Sequence, residues 1–239
     1  MADAARPWPP PLKGLPTLRV VEPGAWWRVH RLSLATGRHA PQDFNGSGRG
    51  NARFSPLDAV EAGGTVGTRA KGGGVGAPAT VATLYAAATL EGALMETALH
   101  DVPFPSQGHI HDLERDLRGD LHASRIELRA PLQLVDLTKI GLQRMGLRVS
   151  QMFETDACDY PRTRAWAQWL RALLPQAQGL VWMAARQPEC AAVMLFGDRM
   201  PADTIAAGPG GPRHLSDPEV LSVLLSLLER LGCGVASDR

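Results

Sequence analysis

The sequence predicts an α+β fold, and two patterns along the chain lead to this prediction. Short runs rich in apolar, β-branched and aromatic residues recur throughout, as is typical of strands of about 4–8 residues. Between them lie longer stretches in which apolar residues return every three or four positions, as in amphipathic helices. The two kinds of segment do not alternate regularly. A parallel sheet built from βαβ units is therefore not expected.

The strand predictions begin after a Pro-rich segment, residues 1–17, which we expect to be an extended tail. The segment WWRVHRL at 26–32 combines aromatic and β-branched residues, and GLVWMA at 179–184 is a short apolar run. The expected strands are residues 18–21, 26–32, 79–88, 126–137 (as two short strands broken at Pro131), 179–184 and 191–196.

Capping residues mark the predicted helices. Thr89 is a suitable N-cap, Pro161 suits the first turn of a helix, and Ser216 with Glu219 three residues later forms a capping box. Gly232 follows the last helix, where glycine commonly ends a helix. The expected helices are residues 89–100, 140–153, 161–174 and 216–231.

The remaining segments predict loops and set the domain limits. Residues 33–57 are polar and dotted with glycine, and an ordered loop of this length is typically functional. Residues 61–80 read as a flexible insertion, and residues 101–123 as a polar loop. We expect one domain over residues 18–205, with a C-terminal loop and helix at 206–239 packed on it.

Charge and cysteine content exclude several classes of protein. Lys and Arg total 25 and Asp and Glu total 24, a net charge of +1. This balance argues against broad attraction to nucleic acid or to a membrane surface. The three cysteines form no C-x-x-C pair, which favours a reducing cytoplasm. No run approaches the roughly 20 apolar residues of a membrane span, so we expect a soluble cytosolic protein.

Two further motifs resemble a phosphate-binding loop and a metal site, but the residues around them do not complete either one. The glycine-rich segment KGGGVGAP at 71–78 lacks the Gly-Lys-Ser/Thr ending of a phosphate-binding P-loop, and we interpret it as a flexible loop. His109 and His111 form an H-x-H pair that, with Asp112, resembles part of a metal site. No matched fourth ligand is evident, so we expect a polar surface loop and no metal.

Six segments, taken together and in order, resemble the RES domain family. They are WWRVHRL at 26–32, DFNGSGRGNARFSPL at 43–57, TLYAAATLEGALMET at 83–97, YPRTRAWAQWLR at 160–171, GLVWMAARQ at 179–187 and VMLFGDR at 193–199. The resemblance covers roughly residues 24–200. It implies an ADP-ribosyltransferase-like split β-sheet core with flanking helices. It also implies a bacterial toxin of a toxin–antitoxin pair that consumes NAD without a metal, and a separate helix-turn-helix antitoxin as its partner.

The resemblance assigns roles to four residues. The strand arginine falls on Arg28, the loop arginine before a phenylalanine on Arg53, the aromatic residue at a strand end on Tyr85, and the helix glutamate on Glu96. Arg49 is an alternative to Arg53, and Glu91 is an alternative to Glu96.

Two positions near the candidate site remain open. Ser47, in the turn NGSG, is a candidate phosphate ligand, although turn chemistry explains it equally well. The serine that gives the family its third letter falls on Ala184 or Ala185, neither of which has a hydroxyl.

These residue types suit the chemistry of NAD. A guanidinium binds pyrophosphate oxygens through bidentate, charge-assisted hydrogen bonds, which Arg28 and Arg53 can supply. An aromatic face such as that of Tyr85 attracts the cationic nicotinamide ring. Cleavage of the nicotinamide–ribose bond builds positive charge on the sugar, which a fixed carboxylate at Glu96 can stabilise.

The sequence leaves three activities open. NAD can be cleaved by water or phosphate, its ADP-ribose can be transferred to a protein, or the missing serine can leave a protein that binds NAD or a partner without turnover. Each requires Arg28 and Glu96 to converge on one cleft.

Overall fold

The computed structural model describes residues 12–34, 37–38, 40–59, 80–103, 106, 108–153, 157–184 and 187–236. Most of the expected N-terminal tail and of the glycine-rich insertion lies outside these residues. The described chain is a mixture of strands and helices around one large sheet, so the α+β prediction is confirmed. No described helix has the length and apolarity needed to span a membrane.

The strands are β1 Leu18–Val21, β2 Gly24–Arg31, β3 Ser33–Leu34, β4 Gly37–Arg38, β5 Leu57–Asp58, β6 Thr80–Val81, β7 Thr83–Ala87, β8 Ile110–His111, β9 Leu121–Leu128, β10 Leu132–Asp136, β11 Gly179–Ala184, β12 Gln187–Phe196, β13 Ile205–Ala207, β14 Arg213–His214 and β15 Gly234–Val235. The α-helices are α1 Leu90–Thr97, α2 Leu113–Arg118, α3 Lys139–Met145, α4 Tyr160–Leu173 and α5 Pro218–Arg230.

The large sheet has the strand order β1-β10-β11-β12-β7-β2-β9-β13, and β14 also pairs with β9. Its neighbours are antiparallel except β10 and β11, which are parallel. Short two-stranded pairs, β3–β4, β5–β6 and β8–β15, lie outside this sheet. Because β13 and β14 pair with β9, two short strands after residue 204 belong to the same sheet.

Two apolar clusters form the core on the two faces of the sheet. One cluster gathers residues of α1, α4 and α5 with sheet residues, and its largest buried side chains include Trp166, Trp182 and Phe54. The other consists mostly of aliphatic residues such as Leu84, Leu134 and Leu195. Helices cover one face of the sheet, and burial of both faces explains the nearly continuous apolar runs in β11 and β12.

The helix ends show where capping chemistry was correctly predicted and where it was not. The hydroxyl of Thr89 accepts a hydrogen bond from the N–H of Gly92 at 3.1 Å, so Thr89 caps α1 as expected. In α5 the cap is Asp217, whose carboxylate accepts from the N–H of Glu219 at 3.1 Å. The prediction of Ser216 as the cap was wrong, because Pro218 takes the first helical position and places Asp217 before it.

Two predicted segments differ from the structure. The expected helix at 140–153 ends at Met145, because Gly146 adopts a left-handed conformation with φ of 75° and caps α3. Residues 101–123 contain β8, α2 and the start of β9 rather than a continuous polar loop. In this segment His111 is buried, and its Nε2 lies 2.8 Å from a carboxylate oxygen of Asp116. This pair ties α2 to β8, a tertiary contact that local composition does not reveal.

Candidate functional site

A cleft opens where the ladder between β2 and β7 stops. That ladder contains one described residue pair, Trp27 with Ala87, whereas β2 pairs with β9 along its whole length. The sheet is therefore nearly divided at this point. The cleft is narrow, with a cavity volume of about 10 Å³. Residues of β2, β7, α1, β11 and β12 line it, among them Arg28, Tyr85, Ala87, Glu96, Trp182 and Ala192.

A row of paired residues forms the floor of the cleft. Trp182 pairs with Ala192, Ala192 with Ala87, and Ala87 with Trp27, so the row crosses four strands. Directly paired residues project their side chains to the same face of a sheet. Trp182, Ala192 and Ala87 of this row line the cleft, and the two small alanine side chains leave space beside the indole ring of Trp182.

Glu96 lies in the last turn of α1 and lines the cleft, whereas its sequence alternative Glu91 lies in the first turn and does not. The indole Nε1–H of Trp182 donates to Oε2 of Glu96 at 3.4 Å. Ala93, one turn earlier on the same face of the helix, is buried against the cleft. The helix therefore presents a small residue and a carboxylate to the opening.

Tyr85 lies on β7 opposite Glu96. Its hydroxyl donates to Oγ of Ser55 at 3.1 Å, and its ring makes an edge contact with Trp182 at a centroid distance of 6.3 Å. Burial raises the pKa of Tyr85, and its hydrogen bond to Ser55 opposes this only in part. The phenol is therefore neutral at pH 7 and offers an aromatic face and a hydroxyl.

Arg28 lies on β2 and is 9% exposed. Its Nη1 donates to two backbone carbonyls of the following loop, that of Pro41 at 2.6 Å and that of Asp43 at 2.8 Å. Its buried Nε–H has no acceptor among the described residues. Burial lowers the pKa of Arg28 to about 10, against the opposing charge of Asp43, so the guanidinium stays charged at pH 7.

Arg53 lies beside the cleft rather than in its wall. Its guanidinium is 5.3 Å from the ring centre of Tyr160 and 5.8 Å from that of Phe153, and Nη1 donates to the carbonyl of Met152 at 3.1 Å. Phe153 stacks on Trp182 at 6.1 Å, so a single ring separates Arg53 from the cleft wall. Its sequence alternative Arg49 is exposed on a turn.

Ser47 lies in that same exposed turn. Its hydroxyl donates to Oδ1 of Asn45 at 2.6 Å and its N–H donates to the same oxygen at 3.1 Å. The hydroxyl also accepts from the N–H of Arg49 at 3.2 Å. These hydrogen bonds stabilise the turn itself, which is the alternative to phosphate binding that the sequence analysis gave for Ser47. The structure does not bring Ser47 into the lining of the cleft.

The position of the family's serine is apolar. Ala184 ends β11, is 1% exposed and belongs to the cluster that contains Trp182 and Ala93. The pairing register with β12 shifts between Met183 and Ala184. Ala184 is not part of the cleft lining, and Ala185 lies outside the described residues.

The structure adds residues that sequence reasoning missed. Trp182 contacts Glu96 and Tyr85, and Phe54 and Phe153 pack on its other sides. Arg164 on α4 donates from Nε to the carbonyl of Ala52 at 3.1 Å, next to Arg53. Side chains alternate between the two faces of β11, so the sequence could have placed Trp182 on the same face as Ala184. Its contact with Glu96 on α1 could be seen only in the tertiary structure.

No group of three potential metal-ligating side chains occurs in the described part of the chain. His109 and His111 lie with their ring centres 6.4 Å apart, but His111 is engaged by Asp116. These residues lack the further ligand that a zinc site needs.

The comparisons with known proteins bear on both fold and family. A chain from the crystal structure of the M. tuberculosis MbcT–MbcA toxin–antitoxin complex is similar in fold, with a TM-score of 0.55, 14% sequence identity and coverage of 86% of this chain and 92% of that one. No curated protein matches by sequence. The model of the RES domain matches residues 25–216, most of the chain. This protein therefore belongs to the RES domain family.

Proposed function

We propose that this protein is a toxin that cleaves the bond between nicotinamide and ribose in NAD. The observation that supports the proposal is the single cleft that gathers Arg28, Tyr85, Glu96 and Trp182 from four separate elements. A guanidinium, a neutral phenol, a carboxylate and an indole ring match the pyrophosphate, the cationic ring and the developing sugar cation of this substrate.

Each residue takes a defined part in the proposed reaction. Glu96 stabilises the positive charge that develops on the ribose as the bond to nicotinamide breaks. Nicotinamide leaves with the bonding electron pair, and a water or phosphate oxygen attacks the anomeric carbon and loses its proton. The face of Tyr85 attracts the nicotinamide ring. The Nε–H of Arg28 has no acceptor in the part of the chain that the structure describes, and an oxygen of the substrate would satisfy it.

Arg53 has a different place in the proposed site. Its guanidinium lies outside the cleft wall, against the rings of Phe153 and Tyr160. In the proposal it binds the far side of the pyrophosphate or the adenosine end, beyond the reacting bond. Ser47, on an exposed turn held by Asn45, has no contact that places it with these residues.

The cleft must widen before a dinucleotide enters. Its cavity volume of about 10 Å³ is far below the roughly 300–1,000 Å³ of typical ligand pockets. The loop segment from residue 40 to 45 contacts both sides: Arg28 donates to the carbonyls of Pro41 and Asp43, and Asn45 forms a bridge with Thr83. We propose that this loop moves away when NAD binds, and that phosphate oxygens replace its carbonyls at Arg28.

Nicotinamide release from NAD by the purified protein tests the proposal. We expect Glu96→Gln to lower the rate about a hundredfold or more, as removal of one preorganised charged group typically does. Glu91→Gln is the matched control, since it removes a carboxylate from the same helix outside the cleft. Equal rates for wild type and Glu96→Gln would refute the assignment. ADP-ribose as the product in phosphate buffer would indicate hydrolysis, and its phosphate ester would indicate phosphorolysis.

One observation favours a second candidate, a protein that binds NAD without turnover. The family's serine falls on Ala184 or Ala185, neither of which has a hydroxyl, and Ala184 is buried. Calorimetry with NAD would then show binding while no nicotinamide is released. Transfer to a protein remains the third possibility, and labelled NAD incubated with lysate would mark a macromolecule only in that case.

The proposed partner is a separate antitoxin with a helix-turn-helix that covers the cleft. Expression of the protein alone should deplete cellular NAD and arrest growth, and the Glu96→Gln variant should do neither. Co-expression of the antitoxin should restore both NAD and growth. Growth arrest without loss of NAD would exclude this mode of toxicity.

A further inference from the structure

The side chain of Trp182 contacts two candidate residues of the cleft, Glu96 and Tyr85. It is 2% exposed, and its Nε1–H donates to Oε2 of Glu96 at 3.4 Å. An indole N–H is a donor only, so the contact has a fixed direction from tryptophan to carboxylate. A hydrogen bond to a charged group is stronger than one between neutral groups.

Three aromatic rings hold the indole in place. Phe54 makes an edge contact at a centroid distance of 5.3 Å, Phe153 stacks at 6.1 Å with an interplanar angle of 25°, and Tyr85 makes an edge contact at 6.3 Å. Phe54 is itself fully buried. A ring packed on several sides cannot change rotamer without displacing its neighbours. The direction of the N–H is therefore set by packing and does not depend on the carboxylate.

Glu96, in contrast, lies near the end of a short helix. It is half-buried in the last turn of α1, and a glutamate side chain has several rotatable bonds. A carboxylate acts on a developing cation only when it is held in the productive geometry. The rigid indole supplies a fixed point for it.

We propose that Trp182 is a positioning residue that orients the Glu96 carboxylate toward the sugar. This inference rests on the proposed function, because it gives Glu96 its role there. The indole N–H contacts Oε2, one of the two carboxylate oxygens. The same ring also fixes the edge of Tyr85, so one residue sets the relative position of the carboxylate and the aromatic face.

The kinetic test uses Trp182→Phe, which keeps an aromatic ring and removes the N–H. We expect kcat for nicotinamide release to fall about tenfold while KM changes less than twofold, because orientation matters most in the transition state. Trp169→Phe on α4 is the matched control and should leave both unchanged. In the Glu96→Gln background, Trp182→Phe should change kcat by less than twofold. A full tenfold effect in that background would overturn the positioning role.

A second measurement does not depend on activity. The chain has six tryptophans, so ¹⁵N spectra contain six indole N–H signals, and the signal missing in Trp182→Phe is that of Trp182. Glu96→Gln should shift this signal, and Glu91→Gln should not. An unmoved signal would overturn the contact whatever the activity. A moved signal with no nicotinamide release by wild type would support the contact and refute the proposed function. Circular dichroism of each variant checks that it folds.

Discussion

Replacement of Arg28 by methionine distinguishes the effect of this buried charge on stability from its effect on activity. The pKa of Arg28 is lowered from the usual 12.5 to about 10, chiefly by burial, which corresponds to roughly 3 kcal/mol against the charged form. Its two hydrogen bonds to the carbonyls of Pro41 and Asp43 oppose this cost. Hydrogen bonds to charged groups contribute about 1.5–3 kcal/mol each, roughly 3–6 kcal/mol for the pair.

The two effects nearly cancel, so Arg28→Met should change the free energy of unfolding by less than about 3 kcal/mol. Methionine fills a similar apolar volume, while the two loop carbonyls lose their donor. Activity should respond differently. Without the guanidinium, kcat/KM for nicotinamide release should fall by more than about a hundredfold, as for other preorganised charges.

Urea denaturation followed by tryptophan fluorescence measures the stability, and nicotinamide release measures the activity. The pH dependence of the free energy of unfolding gives a second test. A base whose pKa is lowered on folding destabilises the folded state fully at pH 7, and this destabilisation declines as the pH rises from about 10 to 12.5. The stability of wild type relative to Arg28→Met should therefore increase as pH rises above 10. A loss well above 5 kcal/mol at pH 7 in the variant, or unchanged kcat/KM, would refute this reasoning.

Four further substitutions test other parts of the structure. Tyr85→Phe removes the hydrogen bond to Ser55 and should lower the free energy of unfolding by about 0.5–1.5 kcal/mol, as measured by thermal denaturation. The aromatic ring remains, so KM for NAD should rise only slightly. Ala184→Ser should cost about 1–3 kcal/mol, because its hydroxyl enters an apolar cluster; a large rate gain would instead show that it reaches the cleft. Asp217→Ala should cost about 0.5–2 kcal/mol through the lost cap of α5, measured by urea denaturation. Ser47→Ala should leave KM for NAD unchanged, and a severalfold rise would restore Ser47 as a ligand.

Local sequence patterns predicted elements well where local forces decide them. The strand at 18–21 and the strand at 179–184 have the bounds expected, because both are short segments rich in apolar residues, two of them valines in the first. Thr89 caps α1 and Pro161 lies in the first turn of α4 as expected, although α4 begins one residue earlier, at Tyr160. The prediction of a loop at residues 101–123 was wrong because the strands and helix there are stabilised by contacts distant in sequence. One such contact is the pairing of β8 with β15 near the other end of the chain.

The candidate site was predictable only as a set of residues. The family pattern placed Arg28, Tyr85 and Glu96 on a strand, a strand end and a helix, and the structure brings these three into one cleft. It could not predict that Arg28 bonds to loop carbonyls or that Arg53 stacks on aromatic rings outside the wall. Those arrangements depend on where the loop crosses the sheet, and loop paths leave no periodic signal in the sequence.

The loop after β4 also explains how a nearly divided sheet holds its shape. Only one described pair joins β2 to β7, so the ladder alone gives the two sides little restraint. The loop adds bonds to both: Asp43 accepts from Arg28 on β2, and Asn45 exchanges backbone hydrogen bonds with Thr83 on β7 at 2.8 and 3.1 Å. The width of the cleft is thus set by a segment outside the sheet. The proposed widening for a dinucleotide would break these loop contacts, while the ladder of β2 with β9 and the ladder of β7 with β12 do not depend on them.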